Sequence, residues 1–206
     1  MRKWIGALSI LLGVACLLGA IGFAVFNRWE AESAAQTTQT LLEDFQQVIS
    51  KAPVDSPIGS ILPGKDFTED VKAEMATVKV DGYDCFGILS IPVLELELPV
   101  LADWSYEKLK KAPCHYYGTC YEPNFVIAAH NYASHFGRLS QLQPGDMVIF
   151  TDVSGANYYY EVVLLETLPK EATKEMIASG FDLSLYTCTI GGGSRVTVRC
   201  RAITPE

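Results

Sequence analysis

Cys188 and Arg195 flank a run of glycines in the segment Leu183 to Cys200, LSLYTCTIGGGSRVTVRC. A thiol is a strong nucleophile as the thiolate, and a fixed cation beside it favours that form. A nucleophile also needs a group that moves protons, and the chain has three histidines, His115, His130 and His135. His130 ends the apolar run FVIAAH, at the mouth of a predicted strand. His115 falls in a Cys- and Tyr-rich predicted loop, and His135 in the loop that follows His130. Position favours His130. Thiol, imidazole and guanidinium then make a nucleophile, a general acid/base and a cationic oxyanion stabiliser. That set suits acyl transfer from a peptide carbonyl. No carboxylate is clearly placed as a third triad member. The same residues also fit a hairpin with one incidental buried cysteine and one surface arginine. The elements that carry them decide between the two.

Those elements read as short strands. Leu183, Leu185 and Thr187 alternate with Ser184, Tyr186 and Cys188, and Val196 and Val198 alternate with Arg195, Thr197 and Arg199. Period-two alternation argues half-buried strands. Gly191 to Gly193 turn the chain between them. Arg195 and Arg199 are four apart, so an unbroken strand puts both on one face, and parity does not say which serves the cysteine. Further strands are predicted at Phe86–Ile91, Val93–Leu101, Phe125–Ala129, Met147–Thr151 and Asn157–Leu165. Asp152-Val-Ser-Gly155 is a hairpin signal between the last two. Short helices are predicted at Ser105–Ala112, with Ser105 as cap, and at Leu168–Ser179, ended by Gly180. Seven or eight strands with few helices argue an all-β barrel or sandwich.

Ahead of this domain, Trp4 to Phe26 carries no charge. The stretch is long enough to cross a bilayer of roughly 30 Å as a helix. Arg2 and Lys3 precede it, so the positive-inside rule predicts a cytoplasmic N-terminus and an external remainder. A cleaved signal peptide is the rival reading, but its apolar region is normally shorter. The expected organisation is a tip at 1–3, an anchor at 4–26, a stalk helix and linker at 27–80, and a catalytic domain at 81–206. Leu41, Leu42, Phe45, Val48 and Ile49 give the stalk one apolar stripe, for use as a spacer or against the domain. The net charge of −8 argues against a general nucleic-acid binder. Of six cysteines, Cys16 lies in the span. The other five leave at least one thiol unpaired, and they lack the paired C-x-x-C spacing of zinc sites.

Three segments carry a resemblance. Leu185-Tyr-Thr-Cys188, followed by an Arg at the start of the strand ending VTVRC, resembles the TLxTC signature and arginine strand of the sortases of Gram-positive bacteria. The segment VIAAHNYASHFGRLSQLQPGDMVIFT resembles their histidine segment, through His130, Phe136, Leu139, Gly145 and Asp146. Ile88 to Pro92, followed by Leu98-Pro-Val100, resembles their first two strands. The matches fall in family order and cover Phe86 to Arg201. Ala129 stands where glycine is usual, and the Cys188–Arg195 loop is short and glycine-rich.

The resemblance implies an eight-stranded β-barrel and a cysteine transpeptidase. It assigns Cys188 to attack the Thr carbonyl of an LPXTG-like sorting motif on a secreted protein. His130 protonates the leaving Gly amine. Arg195, at the strand start, holds substrate and oxyanion, and Thr187 lies under the substrate. An amine from a peptidoglycan precursor or a pilin lysine resolves the thioester. Lys170 to Gly180 takes the place of the loop that reads Leu-Pro. No cofactor is expected. Some sortases bind calcium, for which Glu95, Glu97 and Asp103 are candidates, although charges on a strand are usually a solvated face. A disulfide pattern that spares Cys188 joins Cys114 to Cys120 and Cys85 to Cys200. Another wall-directed cysteine transpeptidase class, with its Ser-x-Gly-Cys-x-Arg motif, does not match, since Ile190 stands two after Cys188. A membrane-anchored β-domain used as scaffold or adhesion module is the non-enzymatic alternative, and Cys188→Ala would leave it intact.

Overall fold

The computed structural model describes residues 2–51 and 75–204. The expected linker at 52–65 lies outside the described residues. The chain opens with one helix, α1 (Arg2–Lys51), of 50 residues. Its part from Ile10 onward includes a window apolar enough to cross a membrane, none of it buried in the protein. Beyond Trp29 the helix changes character. Ala34, Thr38, Leu41, Leu42 and Phe45 are buried at the spacing of one helical face.

Among the described residues nine strands follow: β1 (Val78–Val80), β2 (Tyr83–Ile91), β3 (Leu96–Leu101), β4 (Cys114–Tyr117), β5 (Phe125–Ala128), β6 (Met147–Asp152), β7 (Asn157–Pro169), β8 (Leu183–Cys188) and β9 (Ser194–Ile203). Eight of them close a barrel in the order β2-β3-β4-β5-β8-β9-β7-β6, with β6 returning to β2 through Gly87↔Asp152 to Ser90↔Ile149. β1 pairs with the outer part of β2. Closure leaves the barrel no unpaired edge. It depends on Gly87, where a Cβ would come within 2.1 Å of the Thr151 carbonyl oxygen on β6. Inside, Leu89, Val100, Phe125, Ile127, Phe150, Val162, Leu185 and Val198 form one core. A second cluster joins Leu41 and Phe45 of α1 to Val80, Cys85, Leu101, Ala112 and Cys114. Each such side chain removed from water is worth about 1.5–3 kcal/mol. The apolar stripe of the stalk is therefore a docking face rather than a spacer.

Several local expectations change. The strand predicted from Val93 starts at Leu96, because Pro92 opens a 3₁₀ turn closed by Glu95 at φ 52°. The helix predicted from Leu168 is mostly strand and loop. β9 offers hydrogen-bond partners as far as Ser194, and β7 pairs with it to Pro169, leaving α3 (Thr173–Ile177) as a single turn. α2 (Tyr106–Leu109) is capped by Ser105, whose hydroxyl accepts from the Lys108 N–H at 3.2 Å. His115 lies in β4 rather than a loop. β1 begins ahead of the boundary drawn at Asp81.

All six cysteines are free thiols. Cys114 packs in the α1 cluster and Cys120 in the barrel core, and Cys85 and Cys200 are divided the same way. The pairings Cys114–Cys120 and Cys85–Cys200 are therefore not formed. Burial pushes the Cys85, Cys114 and Cys200 thiols up to about 12, which keeps them protonated.

Candidate active site

The site forms at one end of the barrel, where β5, β8 and β9 lie side by side. In the antiparallel β8–β9 pair, Cys188 is directly opposite Arg195. Opposite residues project from the same face with Cβ atoms about 5 Å apart. The turn between them is built for tightness. Gly191 and Gly192 sit at φ 87° and 73°, which side chains resist. The Thr189 N–H donates to the Ser194 carbonyl at 3.0 Å. On the other side, β5 runs parallel to β8 with Ala128 level with Tyr186, and the Ala129 N–H donates to the Tyr186 carbonyl at 3.2 Å. Because β5 and β8 are parallel, His130, two residues past the end of β5, leaves the sheet at the same end as Cys188, the last residue of β8. The three residues thus stand in a row at one end of three neighbouring strands.

Cys188 is exposed, and His130 and Arg195 are half-buried. The Arg195 guanidinium donates to the carbonyls of Gly192 at 3.1 Å and Ser194 at 3.0 Å. His130 hydrogen-bonds Asn131 rather than Cys188. Its Nδ1 meets the Asn131 N–H at 3.0 Å and the Asn131 side-chain oxygen at 3.1 Å. Burial lowers the His130 pKa, against smaller raising effects of Asn131 and the Glu30 carboxylate. Tyr132 stacks on the ring at 4.1 Å and 9°.

Arg199 occupies a different position. It is 2% exposed and pairs with Glu166 at 2.7 Å. It also donates to Ser184 at 2.8 Å and to the Glu175 carbonyl at 2.7 Å. It shares the Arg195 face, but α3 covers it and four of its five N–H groups have partners. Thr187 points the opposite way from Cys188, toward the barrel core with Leu183 and Leu185. Its buried hydroxyl has no partner. The β8 neighbour that shares the face of Cys188 is Tyr186, two residues before it.

Two hollows meet at Cys188. One is lined by Trp104, Tyr116, Lys170, Met176, Tyr186 and Arg195 among others. The second is lined by Asn131, Phe136, Ser140, Thr187 and Ile190. The first is walled by aromatics in contact, with Trp104–Tyr116 at 5.8 Å and Tyr116–Tyr186 at 5.3 Å. Sequence reading missed these. The signal for Tyr186 was its period-two spacing from Cys188, whereas Trp104 and Tyr116 arrive only through folding. Another hollow, among Tyr121, Tyr158 and Asp182, includes none of the three row residues. Glu97 accepts from Gln46 of α1 at 3.3 Å and Asp103 pairs with Lys108, while Glu95 caps the 3₁₀ turn. No cluster of three or more potential metal ligands occurs among the described residues.

A family model described as Sortase domain matches residues 89–203. Sortase D of Bacillus subtilis is 25% identical over 175 residues, covering 84% of this chain and 81% of that protein. Among solved structures, sortase A from Corynebacterium diphtheriae superimposes with a TM-score of 0.55 at 23% identity, covering 60% of this chain and 63% of that one. The match thus spans a little under two thirds of that structure's length. Sortase C1 from Streptococcus suis gives 0.53 at 26% identity, covering 59% and 74%.

Proposed function

From the premise that this chain belongs to the sortase family of cysteine transpeptidases, we propose that it cleaves an LPXTG-like sorting motif and transfers the released acyl group to an amine. The observation that carries this reading is that Cys188 and Arg195 face each other across β8 and β9, with His130 just past the end of the adjoining β5. The Cys188 sulfur attacks the Thr carbonyl carbon, and the oxyanion forms on the face where Arg195 projects. Collapse breaks the Thr–Gly bond, and the departing amine takes a proton from His130. The thioester is resolved by an incoming amine, whose surplus proton returns to His130. The low pKa of His130 makes the neutral ring the resting form at pH 7, so thiol and imidazole exchange a proton as attack begins. The aromatic hollow beside Tyr186 and the Lys170–Gly180 loop is the groove for the motif, where proline stacks well on aromatic rings.

The helix from Trp4 to Phe26 anchors the protein in the membrane with its N-terminus cytoplasmic and the barrel outside. The partners are secreted proteins bearing the motif, and the acceptor is an amine of a peptidoglycan precursor or a pilin. The chemistry uses no cofactor, and Thr187 serves as support beneath Cys188.

The full chain is incubated with a library of LPXTG-like peptides and an amine, then analysed by mass spectrometry. Cleavage after Thr, an acyl adduct on Cys188, and loss of both in Cys188→Ala are expected. No adduct on reduced Cys188 with any peptide sinks the proposal and returns the molecule to a scaffold role.

A further inference from the structure

The segment after β5, from His130 to Gly137, is covered by the outer half of α1. His135 is 0% exposed, and its Nε2 lies 2.7 Å from the Thr38 hydroxyl oxygen on α1. The same oxygen is 2.6 Å from the Lys111 carbonyl. It is also 2.9 Å from the Ala34 carbonyl of its own helix. A hydroxyl has one hydrogen, and the Lys111 and Ala34 carbonyls share it, so the oxygen accepts the Nε2–H of His135. One atom thereby joins α1, the end of α2 and the histidine loop. A second tie lies about two helical turns earlier, where Glu30 pairs with Lys110 at 3.1 Å. Glu30 is close enough to His130 and Tyr132 to act on both electrostatically.

Within the loop the link continues to His130. The N–H groups of His135 and Gly137 both donate to the Tyr132 carbonyl at 2.9 Å, and that of Phe136 donates to the His130 carbonyl at 3.1 Å. The Tyr132 ring touches His135 at 5.5 Å and stacks on His130 at 4.1 Å. The loop holds itself poorly otherwise. Four buried side-chain polar atoms lack a partner among the described residues, and three of them are Tyr132 Oη, Ser134 Oγ and His135 Nδ1. Water would satisfy those groups if the loop opened, so its closed form depends on what covers it.

We infer that the outer half of α1 is a clamp that positions His130, with Thr38 and His135 as positioning residues acting through the loop. The inference rests on the transpeptidase reading for its catalytic consequence and on geometry alone for its structural one. The anchor helix is then part of the working site as well as a tether.

The test uses the full chain in nanodiscs, comparing Thr38→Val, Thr38→Ser and Thr40→Val. Thr40 is an exposed control whose hydroxyl donates to the Gln36 carbonyl on the same helix. Hydrogen exchange of segment 130–137 is read beside kcat and KM for peptide transfer. In Thr38→Val the segment exchanges about tenfold faster, and kcat falls about tenfold with KM within about twofold. Thr38→Ser restores both, and Thr40→Val changes neither. If Thr38→Val does not fold, Glu30→Gln gives a smaller rise in exchange over the same segment. Unchanged exchange in the foldable variants overturns the clamp. If the parent cleaves no peptide, it is the transpeptidase reading that fails, and exchange still decides the clamp.

Discussion

Arg195 donates from one guanidinium nitrogen to turn carbonyls at the barrel rim, where water reaches it, while Arg199 is sealed under α3 against Glu166. Their substitutions should separate cleanly. Arg195→Ala loses about a hundredfold or more in transfer, with the unfolding midpoint little changed. Arg199→Met leaves Glu166 without its buried partner and costs on the order of 3 kcal/mol in urea unfolding. Equal stability losses in the two would contradict this division. The sequence could not make it, because residues four apart on one strand share a face. What separates them is a helix contributed by residues 173–177, more than twenty positions upstream. Cys188 and His130 were legible for the opposite reason. Each ends an apolar or alternating run, and the end of a buried strand is where a rigid side chain meets solvent. Thr187 was legible as a strand residue, but its inward direction belongs to the same alternation that turns Cys188 outward.

The histidine loop and the β2–β6 seam are the elements on which barrel and site depend most. His135 is buried against Thr38, and burial, aided by the nearby His130 charge, lowers its pKa to about 4. Its unfolded pKa is near 6.5, so the folded state resists the proton that the unfolded chain accepts. Stability is complete above pH 6.5 and declines as pH falls to about 4, by a total of about 3 kcal/mol from this group. His135→Gln should flatten that part of the curve in urea melts taken between pH 7 and pH 4. At the seam, Gly87→Ala would drive a methyl into the Thr151 carbonyl and force β2 from β6. A loss of at least about 2 kcal/mol is expected by thermal unfolding. Neither feature was readable beforehand. The residue that buries His135, Thr38, lies 97 positions upstream, and the partner of Gly87 lies more than sixty residues away.

At the level of the whole molecule, α1 joins two environments without interruption. Its apolar stripe announced a buried face, but not that the face would be Val80, Leu101 and Ala112 of the barrel. The first fully buried residue, Ala34, comes eight positions after Phe26, a rise of about 12 Å. The barrel is thus fixed to one continuous helical rod whose other end is apolar enough to cross a bilayer. A rod has an azimuth as well as a height. Each residue advances it by about 100° and 1.5 Å, so the register of α1 selects the compass direction in which Cys188 looks across the membrane plane. One alanine inserted after Phe26 should swing the mouth of the site by about 100°. Seven should return it to within about 20° while raising it about 10 Å. Turnover of a membrane-tethered substrate should follow these settings, and turnover of a free peptide should ignore them. Equal responses from the two substrates would mean that the rod does not steer. If the settings matter, the anchor works as a bearing that points the enzyme at chains arriving sideways through the same bilayer.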